Sequence, residues 1–150
     1  MEEDEAWMQV AIDEARTAAS VGEVPVGAVI VRGGKQIALA SNRTVRDSDP
    51  SAHAEMLAIR AASQLLDDWR LIGCTIYVTM EPCAMCAGAI VLARMHRVVF
   101  GAWDEKAGMA GSVGDLLRHP ALNHTAEVTG GVLEAECRQL LQEFFGKLRE

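Results

Sequence analysis

Residues 75–93 read TIYVTMEPCAMCAGAIVLA, and the pattern changes character halfway along. Thr75 to Thr79 is short, apolar and rich in β-branched and aromatic residues, which predicts a buried strand. Ala84 to Ala93 predicts a helix, and Pro82 suits its start, because a first helical turn has no use for the missing N–H. A strand that runs directly into a helix is the unit of an α/β sheet. Cys83 and Cys86 stand three positions apart at that helix start, so both thiols point to one side.

The flanking sequence extends the same alternation. Upstream, Val24 to Val31 and Lys35 to Ala40 read as two antiparallel strands, joined at Gly33-Gly34, a pair that tolerates the positive φ of a tight hairpin turn. Apolar residues at 57, 58, 61, 62, 65, 66 and 69 predict a helix between this hairpin and the Thr75 strand. An earlier helix over Glu5 to Ser20 follows from Trp7, Met8, Ala11, Ala15, Ala18 and Ala19, with Asp4 as its cap. Downstream come a short strand at Arg97 to Phe100, a Gly-rich loop from Gly101 to Gly114 and a short helical piece at Asp115 to His119. A last strand at Glu127 to Thr129 and a closing helix from Glu134 to Arg149 complete the order. The expected fold is α/β: a three-layer α/β/α sandwich with a mixed central sheet, formed by residues 1–150 as a single domain.

The chain has 150 residues, half of them apolar, enough for one proper core and too few for two. Fourteen Lys and Arg against 21 Asp and Glu give a net charge of −7, with a pI near 5.1. Bulk attraction to a polyanion is thereby disfavoured. The excess is uneven, however: residues 1–23 hold seven acids and one base, while residues 24–126 hold nine acids and ten bases. The central region is nearly neutral, which leaves room for recognition of a shaped nucleic acid through a pocket and a few local cations. No apolar run approaches the roughly twenty residues of a membrane span, and the acidic N-terminus lacks the charge of a secretory leader, so no membrane partner and a cytoplasmic location are expected. In that compartment a Cys-x-x-Cys pair points to metal or redox work, and Cys74 and Cys137 are read as small buried apolar residues.

His53-Ala54-Glu55 opens the preceding helix, and His53 completes a set of three ligands with Cys83 and Cys86. The positive ends of both helices favour the thiolate form that coordination requires. Three protein ligands leave tetrahedral zinc one open position, where water is acidified to a pKa of about 7. Glu55, two residues from a ligand, is placed to move that water's proton as a general acid and base. The competing reading is a zinc-stabilised binding or regulatory module. A missing fourth ligand and the presence of Glu55 both count against it.

The pattern His-x-Glu followed by Pro-Cys-x-x-Cys is that of zinc-dependent nucleobase deaminases. Further segments carry the resemblance: Glu23-Val24-Pro25-Val26-Gly27-Ala28-Val29, Asn42, Asp49-Pro50, Ala52-His53-Ala54-Glu55, and Thr79-Met80-Glu81-Pro82-Cys83. Phe100-Gly101-Ala102 with Asp104 and Lys106, and His119-Pro120 ahead of Asn123-His124, extend it. From about Trp7 to Phe145 the chain resembles the bacterial tRNA-specific adenosine deaminases of the cytidine deaminase-like superfamily.

That resemblance implies a hydrolase, a homodimer with one zinc ion per subunit and no organic cofactor. Its substrate would be a tRNA anticodon stem-loop, whose wobble adenosine becomes inosine with release of ammonia. By the same resemblance Glu55 is the proton donor, Asn42 and the Ala54 backbone N–H hold the flipped base, and Asp104 meets a ribose hydroxyl beside it. A 2′-OH contact of that kind separates RNA from DNA. Phe144 falls in phase with the core stripe of the last helix, and Phe145 lies at its edge, where packing is its expected role and base stacking the alternative. Three departures from the family are expected: Met109 replaces a small residue in the Gly-rich loop, the chain stops soon after Lys147 and Arg149, without a longer basic tail, and Trp103 beside Asp104 is variable ground with no assigned role. A deaminase of free nucleosides, nucleotides or bases is the nearest rival, since its metal centre would look alike. On the Ala84 helix, Ile90 and Val91 would support a subunit interface if exposed, and buried core accounts for them equally well.

Overall fold

Strand and helix alternate along the chain because apolar residues recur at period two in some segments and at three to four in others. The computed structural model describes residues 2–148. In order these residues form α1 (Glu2–Ser20), β1 (Gly27–Arg32), β2 (Lys35–Ser41), α2 (Ala54–Leu66), β3 (Thr75–Met80), α3 (Ala84–Leu92), β4 (Arg97–Ala102), β5 (Glu127–Thr129) and α4 (Glu134–Leu148). The strands lie in the order β2-β1-β3-β4-β5. β1 is antiparallel to both β2 and β3, and β3, β4 and β5 run parallel, so the sheet is mixed as expected. Gly33 and Gly34 turn the hairpin with φ of 58° and 74°.

Alternation along each strand sorts side chains to the two faces. Ala28, Ile30, Ile76, Val78, Val98 and Phe100 join a core with Ala58 and Ala62 of α2 and Ala87 and Ile90 of α3. Val29, Val31, Tyr77 and Val99 meet Met8, Ala11 and Ile12 of α1 and Cys137 of α4. The result is the three-layer sandwich. Two glycines let the second face close: a Cβ at Gly27 would collide with the Ala11 carbonyl of α1, and one at Gly101 with the Cys137 sulfur of α4.

Several local expectations give way. α1 begins at Glu2, and Asp4 is not its cap: its buried carboxylate takes two 2.8 Å bonds from the Arg97 guanidinium and one of 3.1 Å from the Tyr77 hydroxyl. A partner ninety-three residues away outcompetes the local capping role. α2 stops at Leu66, where Asp67 turns left-handed with φ 52°, so Trp69 lies beyond the helix and is exposed. Asp115 to His119 is not helical; Asp115 bridges to Ala110, and its carboxylate holds Arg118. Of the two readings of Ile90 and Val91, buried core holds, and the interface on that helix does not. Phe144 is only half-buried and Leu148 is exposed, because the last turns of α4 run past the sheet, and Arg149 lies outside the described residues. Cys74, just ahead of β3, and Cys137 are buried, as expected for small apolar residues.

Candidate active site

α2 and α3 start side by side, so their first residues converge. His53 and Cys83 occupy the two N-cap positions with extended backbones, and neither side chain makes a capping hydrogen bond. The caps face each other instead. His53 Nδ1 lies 3.7 Å from Cys83 Sγ and 3.6 Å from Cys86 Sγ. A tetrahedral zinc ion with ordinary Zn–N and Zn–S bond lengths separates such donors by about 3.6 Å. One imidazole and two thiols, mutually within 4.8 Å, therefore fit zinc by geometry and by donor chemistry.

The protonation pattern is that of a poised ligand set. A hydrogen bond from Cys86, followed by one from His53, pulls the Cys83 thiol down to about 3. Cys86 is pushed up by sharing its proton with Cys83 and by burial. The pair holds one proton between them, and His53 is raised by the Cys83 thiolate beside it. Coordination releases that shared proton, since both sulfurs must be thiolates to ligate.

Glu55 projects from the first turn of α2 and is buried, and burial pushes its carboxyl up to about 7. A group that changes charge near neutral pH can both take and return a proton. Glu55, His53 and Cys83 line a cavity of about 210 Å³ together with Asn42 and Asp104, and Val24, Val26 and Met80 add apolar wall. That combination of a dry wall and convergent polar groups suits a flat heterocycle.

Asn42 follows β2 and is buried, and its Oδ1 accepts the Ala54 N–H at 2.9 Å. That N–H, expected to hold a base directly, is thus committed to orienting Asn42. Asp104 stands half-buried; its Oδ1 accepts N–H bonds from Lys106 and Ala107, which fold the loop into a turn. Phe145 is exposed, edge to face with Phe144.

Two buried carboxylates have roles that were not read from the sequence. Glu23 accepts N–H bonds from Val45 and Arg46 and an ion pair from Arg46, whose guanidinium also grips the Asn42 carbonyl at 3.1 Å. Glu81 accepts from the backbone of Asp104, Ala110 and Ser112 and from the Ser112 hydroxyl. Burial opposes ionisation of both, yet these donors outweigh it and hold both carboxyls below the usual range. The available signal was an isolated acid set in an apolar run just ahead of Val24-Pro25 or Pro82-Cys83. Nothing local could say which backbone each would bind.

Comparison with known proteins agrees with this geometry. Residues 1–102 match the family described as the cytidine and deoxycytidylate deaminase zinc-binding region. Over all 150 residues the chain is 51% identical to a tRNA-specific adenosine deaminase of Bacillus subtilis (strain 168), covering 93% of that protein. A solved structure from a study of A-to-I editing by tRNA:A34 deaminases at the wobble position of transfer RNA superposes with a TM-score of 0.87. It is 43% identical, and the match covers 91% of this chain and 99% of that one. A guanine deaminase from Nitrosomonas europaea shares the fold at a TM-score of 0.82 with 25% identity, over 95% of this chain and 84% of its own.

Proposed function

The chain belongs to the cytidine and deoxycytidylate deaminase family and, within it, to the tRNA-specific adenosine deaminases, and on that premise we propose that it deaminates the wobble adenosine of a tRNA anticodon to inosine. Water replaces the amine at C6 of the base, and ammonia leaves. The observation that carries this reading is the meeting of the His53, Cys83 and Cys86 donor set with a buried Glu55 on one cavity wall.

His53, Cys83 and Cys86 would hold zinc, which would supply a Lewis acid that makes water nucleophilic near neutral pH. Glu55 moves protons, first to the ring nitrogen and then to the departing amine. Its burial keeps bulk water from competing for those protons. Asn42, oriented by the Ala54 N–H, turns its amide NH₂ toward an acceptor on the base edge. Asp104 meets a ribose hydroxyl beside the target, which supports discrimination of RNA from DNA.

Residues 1–150 act as one deaminase domain in this reading, in the cytoplasm and as a homodimer. Exposed Leu65, Trp69, Ile72 and Leu92, on and after the ends of α2 and α3, support an association surface on that side. Among the described residues no helix is long and apolar enough to cross a membrane.

The test is to incubate the zinc-loaded protein with tRNA transcripts, free adenosine, free guanine and free cytidine, and to look for inosine, xanthine and uridine. Inosine confined to the anticodon wobble position is expected. Turnover of a free base or nucleoside with no inosine in tRNA would overturn the reading in favour of a small-substrate deaminase.

A further inference from the structure

The Glu81 carboxylate is buried and among the described residues pairs with no Lys, Arg or His. A buried carboxylate without a cation is costly unless its lone pairs are filled, and here one loop fills them. Oε1 accepts the Asp104 N–H at 2.9 Å and the Ser112 hydroxyl; Oε2 accepts the Ala110 and Ser112 N–H groups, both at 3.0 Å. The four donors span residues 104 to 112. A Cβ at Gly108 would collide with the same carboxylate, so the loop passes directly over it. Backbone bonds flank this clasp: Glu81 N–H donates to the Ala102 carbonyl and Met109 N–H to the Pro82 carbonyl, each at 2.8 Å.

We propose that Glu81 is a positioning residue for recognition of the polynucleotide around the target base: its carboxylate fixes the 104–112 loop, and with it Asp104, at the mouth of the metal cavity. This inference rests on the RNA substrate read in the preceding subsection. Glu81 and Asp104 line the cavity together. The acid extends from the strand-to-helix corner that carries Cys83, so the metal ligand and the loop share one anchor. Glu81 makes no hydrogen bond to His53, Glu55, Cys83 or Cys86 among those described, which separates its role from the proton chemistry.

A carboxylate only accepts hydrogen bonds, whereas an amide replaces one oxygen with two N–H donors. Glu81→Gln therefore keeps shape and volume but sets donor against donor at one half of the clasp. The two flanking backbone bonds remain to keep the loop attached, so the expected loss is of position and not of fold.

The experiment compares zinc-loaded wild-type protein with Glu81→Gln, Gly108→Ala and their double variant on an anticodon stem-loop RNA, with zinc content and Tm measured alongside. Glu81→Gln is expected to keep its zinc and a kcat within about twofold of wild type while KM rises about tenfold. Gly108→Ala, whose methyl would meet the same carboxylate and also the Asp104 carbonyl, should raise KM at least as much, and the double variant should fall short of the combined effect of the two singles, because they share the contact with residue 81. Hydrogen exchange should quicken about tenfold at the amides of Asp104, Ala110 and Ser112 and stay unchanged in β1 and β2. Should Glu81→Gln not fold, Ser112→Ala removes the hydroxyl bond alone and is expected to move KM and loop exchange in the same direction. A wild-type KM, a fall in kcat alone, zinc loss, or additive effects in the double variant would overturn the proposal. Failure of the wild-type protein to act on the stem-loop would instead overturn the substrate reading, and the exchange measurement would still decide whether Glu81 anchors the loop.

Discussion

The two sides of the sheet are built from the same kinds of element and put them to different use. On one side α2 and α3 start together, and the groups gathered there are an imidazole, two thiols and Glu55. On the other, the α1 backbone lies over Gly27 and the Cys137 side chain of α4 over Gly101, and the polar cluster is Asp4 with Arg97 and Tyr77. Glu55 is buried where, among the described residues, no Lys or Arg neutralises it, and its carboxyl rises; Asp4 is buried against a guanidinium, and its carboxyl falls. The first arrangement gives up stability for a group that changes charge near neutral pH. The second gains stability from a group that never needs to.

Substitutions on the two sides should separate activity from stability, and the largest effect belongs to the site. Glu55→Ala is expected to lower deamination by about 10²- to 10⁴-fold while zinc content holds and Tm does not fall, as measured by inosine formation, metal analysis and thermal unfolding. Cys86→Ser should lose zinc and activity together, so full activity in either variant would erase the distinction. On the opposite side Gly27→Ala drives a methyl into the α1 backbone, and denaturant unfolding should show a loss of about 2–4 kcal/mol, with zinc still bound by the folded fraction. Asp4→Asn should cost about 1–3 kcal/mol. The Arg97 hydrogen bonds hold the folded Asp4 carboxyl below its unfolded value, so its contribution is complete above about pH 4 and fades as pH falls through the lower, folded value. The Asp4→Asn variant lacks this titration across that window, and a wild-type protein whose acid unfolding matched the variant's would refute the assignment. The smallest change is expected for Asp104→Ala, a shift of a few-fold, about 1 kcal/mol, in the ratio of activity on RNA and DNA stem-loops. An unchanged ratio removes Asp104 from recognition.

What could be read in the sequence was what local chemistry decides. Gly33-Gly34 announces a turn that needs positive φ twice, and Cys83 with Cys86 carries its geometry in its spacing. His53 and Glu55 were legible because a metal centre restricts which residue types can serve. Asp4 misled because a first-turn acid is a good cap by local rules, and only the folded chain brings Arg97 to it. Asp115 to His119 misled in the same way, since Arg118 and Ala110 draw Asp115 into a bridge. Ile90 and Val91 could face either water or core in an all-apolar helix, and the packing of α3 on the sheet decides for the core. Glu23 and Glu81 were least legible, because a buried acid reveals its role only through donors twenty or more residues away.

His53 and Cys83 hold the positions where a helix ordinarily places Ser, Thr or Asp, and neither closes its own helix start with its side chain. Each helix thereby forgoes a cap worth about 1 kcal/mol. A single ion gripping both positions would stitch two loose ends with one knot. Assembly and metal acquisition then become one event: chelation should loosen α2 and α3 from their first turns inward, while α1, on the far side, stays wound.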